Sequence, residues 1–560
     1  MMITHDSTTT GLNALINALQ DSGVEKITAV AGFPITDLMN QILKDEKEIA
    51  SWITNEKTAL EIVLGASVSG KRGAVIVKHV GMNILSDPLI TSVTHTIGAG
   101  IVIIVGDDPG VIASQNEQDS RWYGSIAEAC VFDPSTPANA YKSVMRAFDL
   151  SEELSSPVII RITDRLLKSI GKIERQKFNN KRKFFDKSIW ELKIREKHQR
   201  FHLNVYPLLI KESENNLFQN SLTSFKVEYA FVLPIRSFVP NKLSKIKDFF
   251  IRSFVPNKLS KIKDFFIRSF VPNELLKKQK IHKNDLGIIS SGFTSTLVNK
   301  CVCGTNIAHL SLNIVYPLPF NMLRNFINAH KKILIIEESE SVIESHLCIH
   351  KNIFGKKTGH VPYGLIELKD IEYAINNINK VPSIQYKKRD IAKRKNICED
   401  CHFMILYQIL RDIDVLVAGD LGCSVRATHA PLNAIDTGYA LGSAISVACG
   451  FSKKGIAVIG DFAFSHSGII SLINAVQIKA NLLVIILQND IAAMTGGQNS
   501  YDLTKVVQAI TNNVSIFNIE NSLSSNEVKE KLSNLIAHNM DQVGISVICI
   551  KAKCEKHKRD

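Results

Sequence analysis

The chain has 560 residues, 45% of them hydrophobic and 22% charged, and a formal net charge of +13. Such a composition excludes a disordered, collagen-like or coiled-coil chain, and the length accommodates three or four domains of about 100–200 residues. The charge is local: residues 171–280 hold 25 Lys/Arg against 10 Asp/Glu, a net of +15 that exceeds the whole. The rest of the chain is slightly acidic, so the body is not expected to bind nucleic acid.

The first ten residues, MMITHDSTTT, lack a basic stretch followed by an apolar core. No secretory leader is therefore expected, and a cytoplasmic chain with its ten cysteines reduced is. The longest apolar runs, such as Gly100–Gly106 and Leu482–Leu487, fall far short of the roughly 20 residues of a membrane span. They read as buried strands. Residues 1–170 alternate helical and strand patterns. Gly11–Ser22 and Lys57–Ser69 have helical spacing, and Lys26–Gly32, Gly73–Val77 and Ile101–Gly106 are short apolar runs. Strands alternating with helices predict a parallel α/β sheet.

Residues 171–282 break that pattern. They open with a basic run, KRKFFDKSIWELKIREKHQR. The sequence IRSFVPNKLSKIKDFF then occupies Ile235–Phe250, recurs unchanged at Ile251–Phe266 and begins a third time at Ile267. Identical 16-residue copies are shorter and less diverged than a solenoid unit, so they read as a recent duplication. The segment is expected to be a solvated, poorly ordered insertion. Leu243, Ile246, Phe250 and Phe254 on one helical face, with lysines opposite, leave a basic amphipathic surface as the alternative. From residue 283 the α/β pattern returns, with strand-like runs at Gly287–Ser291, Ile307–Leu312 and Lys332–Glu337. A polar, Lys-rich connection over 351–395 separates this unit from a third, over 396–560.

The third unit carries the strongest chemical signal. Gly455–Gly460 is a strand followed by Asp461, and Asn481–Leu487 is a second strand followed by Asn489, 28 residues after Asp461. In a parallel sheet the two C-terminal edges are neighbours. Two oxygen ligands there, beside a helix N-terminus, suit a magnesium ion bridging a diphosphate.

GDFAFSHSGIISLINAVQIKANLLVIILQND with AAMTGGQ resembles the thiamine diphosphate-binding segment of the alpha subunits of indolepyruvate ferredoxin oxidoreductases. TNEKTALEIVLGAS, VKHVGMN, DDPGVIASQNEQDSRWYG, SSGFTSTLVNK, VYPLP and IIEESE are similar to the same family, as are CEDCH, GDLGC and PLNAIDTGYALGSAI with changes. The resemblance covers residues 25–170, 284–350 and 396–500. It implies three α/β domains: a pyrimidine-binding domain over 1–170, a transketolase-C-like domain over 283–350 and a diphosphate-binding domain over 396–560. It also implies attack of a thiamine diphosphate carbanion on a 2-oxo acid, with loss of carbon dioxide.

Residue by residue, the resemblance places Glu56 beside the aminopyrimidine, where apolar surroundings would raise its pKa and keep it protonated. It makes Asp461 and Asn489, with the Ile491 carbonyl, the magnesium ligands, and Gly422, Cys423 and Gly460 cofactor contacts. FPITD around Thr36 resembles the YPITP loop of the wider superfamily, in which the threonine sits by the substrate carboxylate; Asp37 replaces its second proline. His79 and His466 are candidate donors to substrate, with a structural histidine as the alternative for each. CEDCH, in place of the family's CPGCPH, reads as a segment near the cofactor rather than a metal site, and Cys301 and Cys303 as packing residues.

The family's alpha subunit ends in a ferredoxin-like module with a C-x2-C-x2-C-x3-C-P run, and these 560 residues hold none. Iron–sulfur clusters are therefore expected on a partner. The resemblance implies a beta-type subunit, a ferredoxin acceptor and a homodimer or hetero-oligomer. Two other functions stay open: a 2-oxo acid decarboxylase that needs no electron acceptor, and a non-catalytic relative that binds a partner through the basic insertion.

Overall fold

The computed structural model describes residues 6–176, 182–215, 284–347, 352–384, 396–519 and 524–557. Three predominantly parallel sheets, each covered by helices, bear out the α/β architecture expected from the sequence. The first has seven strands in the order Ile314–Tyr316, Val131–Phe132, Val158–Thr163, Ile101–Asp107, Gly73–Lys78, Lys26–Ala29 and Ala50–Trp52. All are parallel except Ile314–Tyr316, which runs antiparallel to Val131–Phe132. GAVIVK and IVIIVGD lack polar alternation because helices cover both faces of their strands.

The second sheet has the order Ala308–Leu312, Asn284–Ser291, His330–Ile336 and Ile353–Phe354, all parallel. The chain leaves it after Leu312 and donates Ile314–Tyr316 to the first sheet, so the two units share a strand. A buried ion network completes the weld. Arg121 pairs with Asp119 at 2.6 Å and with Glu337 of the second unit at 2.9 Å, and Arg161 pairs with Asp107 at 2.6 Å and Asp133 at 3.1 Å. The two guanidinium groups outweigh burial and hold the Asp119 carboxyl down at about 2.

The third sheet has the order Val417–Ala418, Gly455–Gly460, Leu482–Gln488, Ile545–Lys551 and Val514–Asn518, all parallel. Alternate residues of its strands enter two separate cores. Ile456, Val458, Leu483 and Ile485 face the helices Met404–Arg411 and Ser525–Asp541. Ala457, Ile459, Val484 and Ile486 face Ala444–Cys449 and Ile469–Gln477.

Two segments differ from their sequence expectation over the part described. Within 171–282, the strand Ile170–Glu174 pairs with Asp6–Thr10, and helices form at Lys187–Glu191, Ile194–Arg200 and Tyr206–Asn215. Phe201, Val205 and Leu209, four residues apart, make a stripe that packs into the first unit's core, and the surrounding lysines and arginines hide it from composition. The tandem repeat of Ile235–Phe266 lies outside the described residues. Within 351–395, Ile353–Phe354 extends the second sheet, and the helix Leu368–Asn376 packs Ile371 and Ala374 on it. No helix among the described residues is long and apolar enough to cross a membrane.

Candidate active site

The C-terminal strand edges of the first and third sheets face each other across a cavity of about 360 Å³, a volume suited to a cofactor or small ligand. Glu56, Gly422, Cys423, Gly460, Asp461, His466, Asn489 and Ile491 all line it, brought together from positions up to 435 residues apart.

The third unit's wall is built from three neighbouring strand ends. Asp461 follows Gly455–Gly460 and is 2% exposed. Its Oδ1 accepts the Phe462 N–H at 2.6 Å, and its Oδ2 accepts those of Asn489 at 3.0 Å and Asp490 at 2.7 Å. Burial still wins over these bonds and raises its carboxyl to about 6. Asp420, past Val417–Ala418, accepts the Gly422 N–H at 2.5 Å and the Gly460 N–H at 3.0 Å, and burial raises it to about 6 as well. Among the described residues neither carboxylate has a lysine or arginine within ion-pair distance. A Cβ added at Gly460 would meet no atom within 4 Å, so the wall between them opens onto the cavity. Among the described residues Asn489 Oδ1 accepts only the Ile491 N–H, at 3.3 Å.

The donor set of Asp461 carboxylate, Asn489 amide oxygen and Ile491 carbonyl is all hard oxygen, which fits a magnesium ion. A cation would also relieve the buried charge of Asp461. Among the described residues no group of three or more His, Cys, Asp or Glu is arranged to hold a metal ion.

The first unit contributes Glu56 at the start of the helix Glu56–Val68. Asn55 caps this helix, its Oδ1 accepting the Lys57 N–H at 2.9 Å, and its amide donates across the cleft to the His466 carbonyl at 3.2 Å. Glu56 Oε2 and His466 Nε2 share a hydrogen bond at 2.9 Å. Its carboxylate thus meets a histidine rather than the apolar wall the sequence suggested. His466 sits in a single π-helical turn, Phe464–Gly468, a local widening common at functional positions. Its Nδ1 lies 3.2 Å from Ser467 Oγ, which donates to the Leu441 carbonyl at 2.9 Å. With that hydroxyl proton spent, Nδ1 must donate to Ser467. One proton therefore remains between Nε2 and Glu56 Oε2. Gly81 makes room for the pair: a Cβ there would lie 2.8 Å from Glu56 Oε1.

Two sequence candidates are placed elsewhere. Thr36 Oγ1 is spent on Gly32, accepting its N–H at 3.1 Å and donating to its carbonyl at 3.0 Å. His79 is fully buried, with Nδ1 3.2 Å from the Gly106 carbonyl and Nε2 3.1 Å from that of Asn116. Neither lines the cavity. Lys78, the residue before His79, does. Sequence reading passed over it, as it did Asp420, Gly81 and Cys554. Cys398, Cys401, Cys423 and Cys554 gather at one end of the cleft, where burial pushes the thiols of Cys401 and Cys423 up to about 11.

Residues 420–550 match the thiamine pyrophosphate enzyme C-terminal TPP binding domain. Over 526 residues the chain is 27% identical to indolepyruvate oxidoreductase subunit IorA of Archaeoglobus fulgidus, covering 87% of this chain and 75% of that one. It is 28% identical over 517 residues to the same subunit of Methanothermobacter marburgensis, covering 87% and 76%. The resemblance read from the sequence is borne out. Over 156 residues, 27% of this chain and 91% of the relative, it is also 29% identical to the sulfopyruvate decarboxylase alpha subunit of Methanocaldococcus jannaschii. A solved 2-oxoglutarate:ferredoxin oxidoreductase from Magnetococcus marinus is 16% identical with a TM-score of 0.44, covering 68% of this chain and 65% of that chain.

Proposed function

We propose, taking the chain as a thiamine diphosphate enzyme of the 2-oxoacid oxidoreductase kind, that the cleft binds thiamine diphosphate and Mg2+. In this reading the first unit is the pyrimidine-binding wall, and residues 396–560 form the diphosphate-binding wall. The chain oxidatively decarboxylates an aryl 2-oxo acid, of which indolepyruvate is the model. It acts as an alpha-type subunit and passes electrons to iron–sulfur clusters on a partner. The observation that carries the reading is that Glu56 and the Asp461–Asn489 pair, from different sheets, face one cleft.

When bound, thiamine diphosphate supplies a carbanion for attack on the 2-oxo carbonyl and an acceptor for the electron pair left by carbon dioxide. The chain's residues hold and prepare it. Asp461, Asn489 and the Ile491 carbonyl would ligate the magnesium ion, and Asp420 orients the Gly422 and Gly460 backbone at the same end. Glu56 and His466 keep one proton between Oε2 and Nε2, so Glu56 stands ready to hold or release a proton at Oε2. The Asn55 bridge sets the distance between these two walls. Both walls belong to one chain, and the homodimer or hetero-oligomer that the resemblance implies is kept in this reading.

The test is an anaerobic assay of the chain with indolepyruvate, coenzyme A, a viologen dye and the beta-type partner. Acyl-CoA with reduced dye supports the oxidative reading. Likeness to a decarboxylase subunit favours a second reading, in which carbon dioxide and an aldehyde appear without coenzyme A or dye. No turnover by a chain that binds the cofactor contradicts both.

A further inference from the structure

Lys78 ends the strand Gly73–Lys78 and lines the first unit's wall of the cleft. Its stem runs beneath Gly32, where a Cβ would come within 2.6 Å of Lys78 Cδ. Its ammonium has three donors, and one goes to Gln115 Oε1 at 2.8 Å. The two acids whose fields reach it are both committed. Glu56 is bonded to His466. Asp108 accepts the N–H groups of Ile112, Ala113 and Ser114 at 2.9, 2.9 and 3.0 Å. Among the described residues no carboxylate lies within ion-pair distance of Lys78. Burial pushes its pKa below the usual lysine range, and the fields of Glu56 and Asp108 only partly resist. A half-buried cation in a ligand cleft, without a counterion of its own, is a receptor for an anion brought in from outside.

We propose that Lys78, with the Gln115 side chain beside it, is the subsite that receives the carboxylate of the substrate. The inference rests on the proposed function. The position excludes the cofactor's diphosphate as the anion, because Gly422, Gly460 and Asp461 lie on the opposite wall. The charge points the same way: one ammonium matches a monocarboxylate, with neutral Gln115 and Asn116 around it, and no second cation of the first unit lines this wall. Lys78 is two residues before Val80 and the helix Gly81–His95 that abuts Glu56. A 2-oxo acid held there by its carboxylate is held beside the proton-bearing pair.

The test uses the full chain with thiamine diphosphate and Mg2+, and two unreactive probes, 3-phenylpropanoate and its neutral amide, titrated by calorimetry. Wild type is expected to prefer the carboxylate at least tenfold. Lys78→Met abolishes that preference, and Lys78→Arg retains most of it. Cofactor affinity, measured on the same samples, stays within a few-fold in all three. Equal affinity of wild type for the two probes, no binding of the carboxylate at millimolar concentration, or an undiminished preference in Lys78→Met overturns the proposal. Failure of wild type to bind the cofactor contradicts the proposed function instead, and the two probes on the cofactor-free chain then still decide the carboxylate subsite.

Discussion

The first unit meets its two neighbours in opposite ways. Against the second it shares a strand and buries Arg121, Arg161, Asp107, Asp119, Asp133 and Glu337 in one network, each at most 3% exposed. Against the third it leaves a cavity crossed by the bonds from Glu56 and Asn55 to His466. In the first junction each acid stands against an arginine. In the second, Lys78, Asp420 and Asp461 line the cavity, and among the described residues no charged side chain lies within ion-pair distance of them. Buried charges that satisfy one another hold a structure together, whereas charges left facing a cavity define what must enter it.

Breaking the weld is expected to have the largest effect. Arg161→Met leaves Asp107 and Asp133 buried without their partner. It should cost about 3–5 kcal/mol of stability in urea unfolding followed by circular dichroism. A loss under 1 kcal/mol would show that the network is not what joins the two units. Glu56→Gln acts on the other junction. It should lower turnover about a hundredfold or more while thermal stability and cofactor affinity hold, as expected for loss of a general acid–base group. Equal losses of binding and turnover would move Glu56 from proton transfer to cofactor retention.

The two junctions should also differ with pH. The Asp461 carboxyl is raised from 3.8 to about 6. A raised carboxyl stabilises the metal-free chain at low pH and loses that contribution as pH rises through about 6, where the charge must be carried unpaired. Magnesium needs the ionised form, so Mg2+-dependent cofactor affinity should fall about tenfold per pH unit below 6. A flat profile between pH 5 and 7 would remove Asp461 from the ligand set. In the welded junction the two arginines instead hold the Asp119 carboxyl down at about 2, so that group brings no such window, while burial pushes Asp107 and Glu337 upward. The smallest effect is expected at Asn55→Ala, about 1 kcal/mol in unfolding for loss of a helix cap, with a further drop in turnover as the Glu56 helix loses its tie to His466.

What could be read from the sequence follows the same division. Asp461 and Asn489 end consecutive strands, so their proximity is local and visible in the spacing. Glu56 and His466 lie 410 residues apart, and only the packing of the first sheet against the third pairs them. Thr36 and His79 carry the right chemistry in a matching motif, but their polar atoms are consumed by backbone a few residues or one strand away. Lys78 gave no periodic signal, because a strand-end lysine looks the same in sequence whether it faces solvent or a cleft. The shared strand Ile314–Tyr316 was equally silent, since three apolar residues do not say which sheet they join. The helices after residue 186 were hidden by their charge, which masks an apolar stripe only three residues deep.

The central claim is that the open junction is a thiamine diphosphate site closed by Asp461 and Asn489 on one side and Glu56 on the other. Calorimetric titration of the purified chain with thiamine diphosphate, with and without Mg2+, tests it most directly. One cofactor per chain should bind only with Mg2+, and Asp461→Ala should weaken that binding at least a hundredfold without unfolding the chain. A well-folded wild type that does not bind, or binding indifferent to Mg2+ and to Asp461→Ala, would contradict the account.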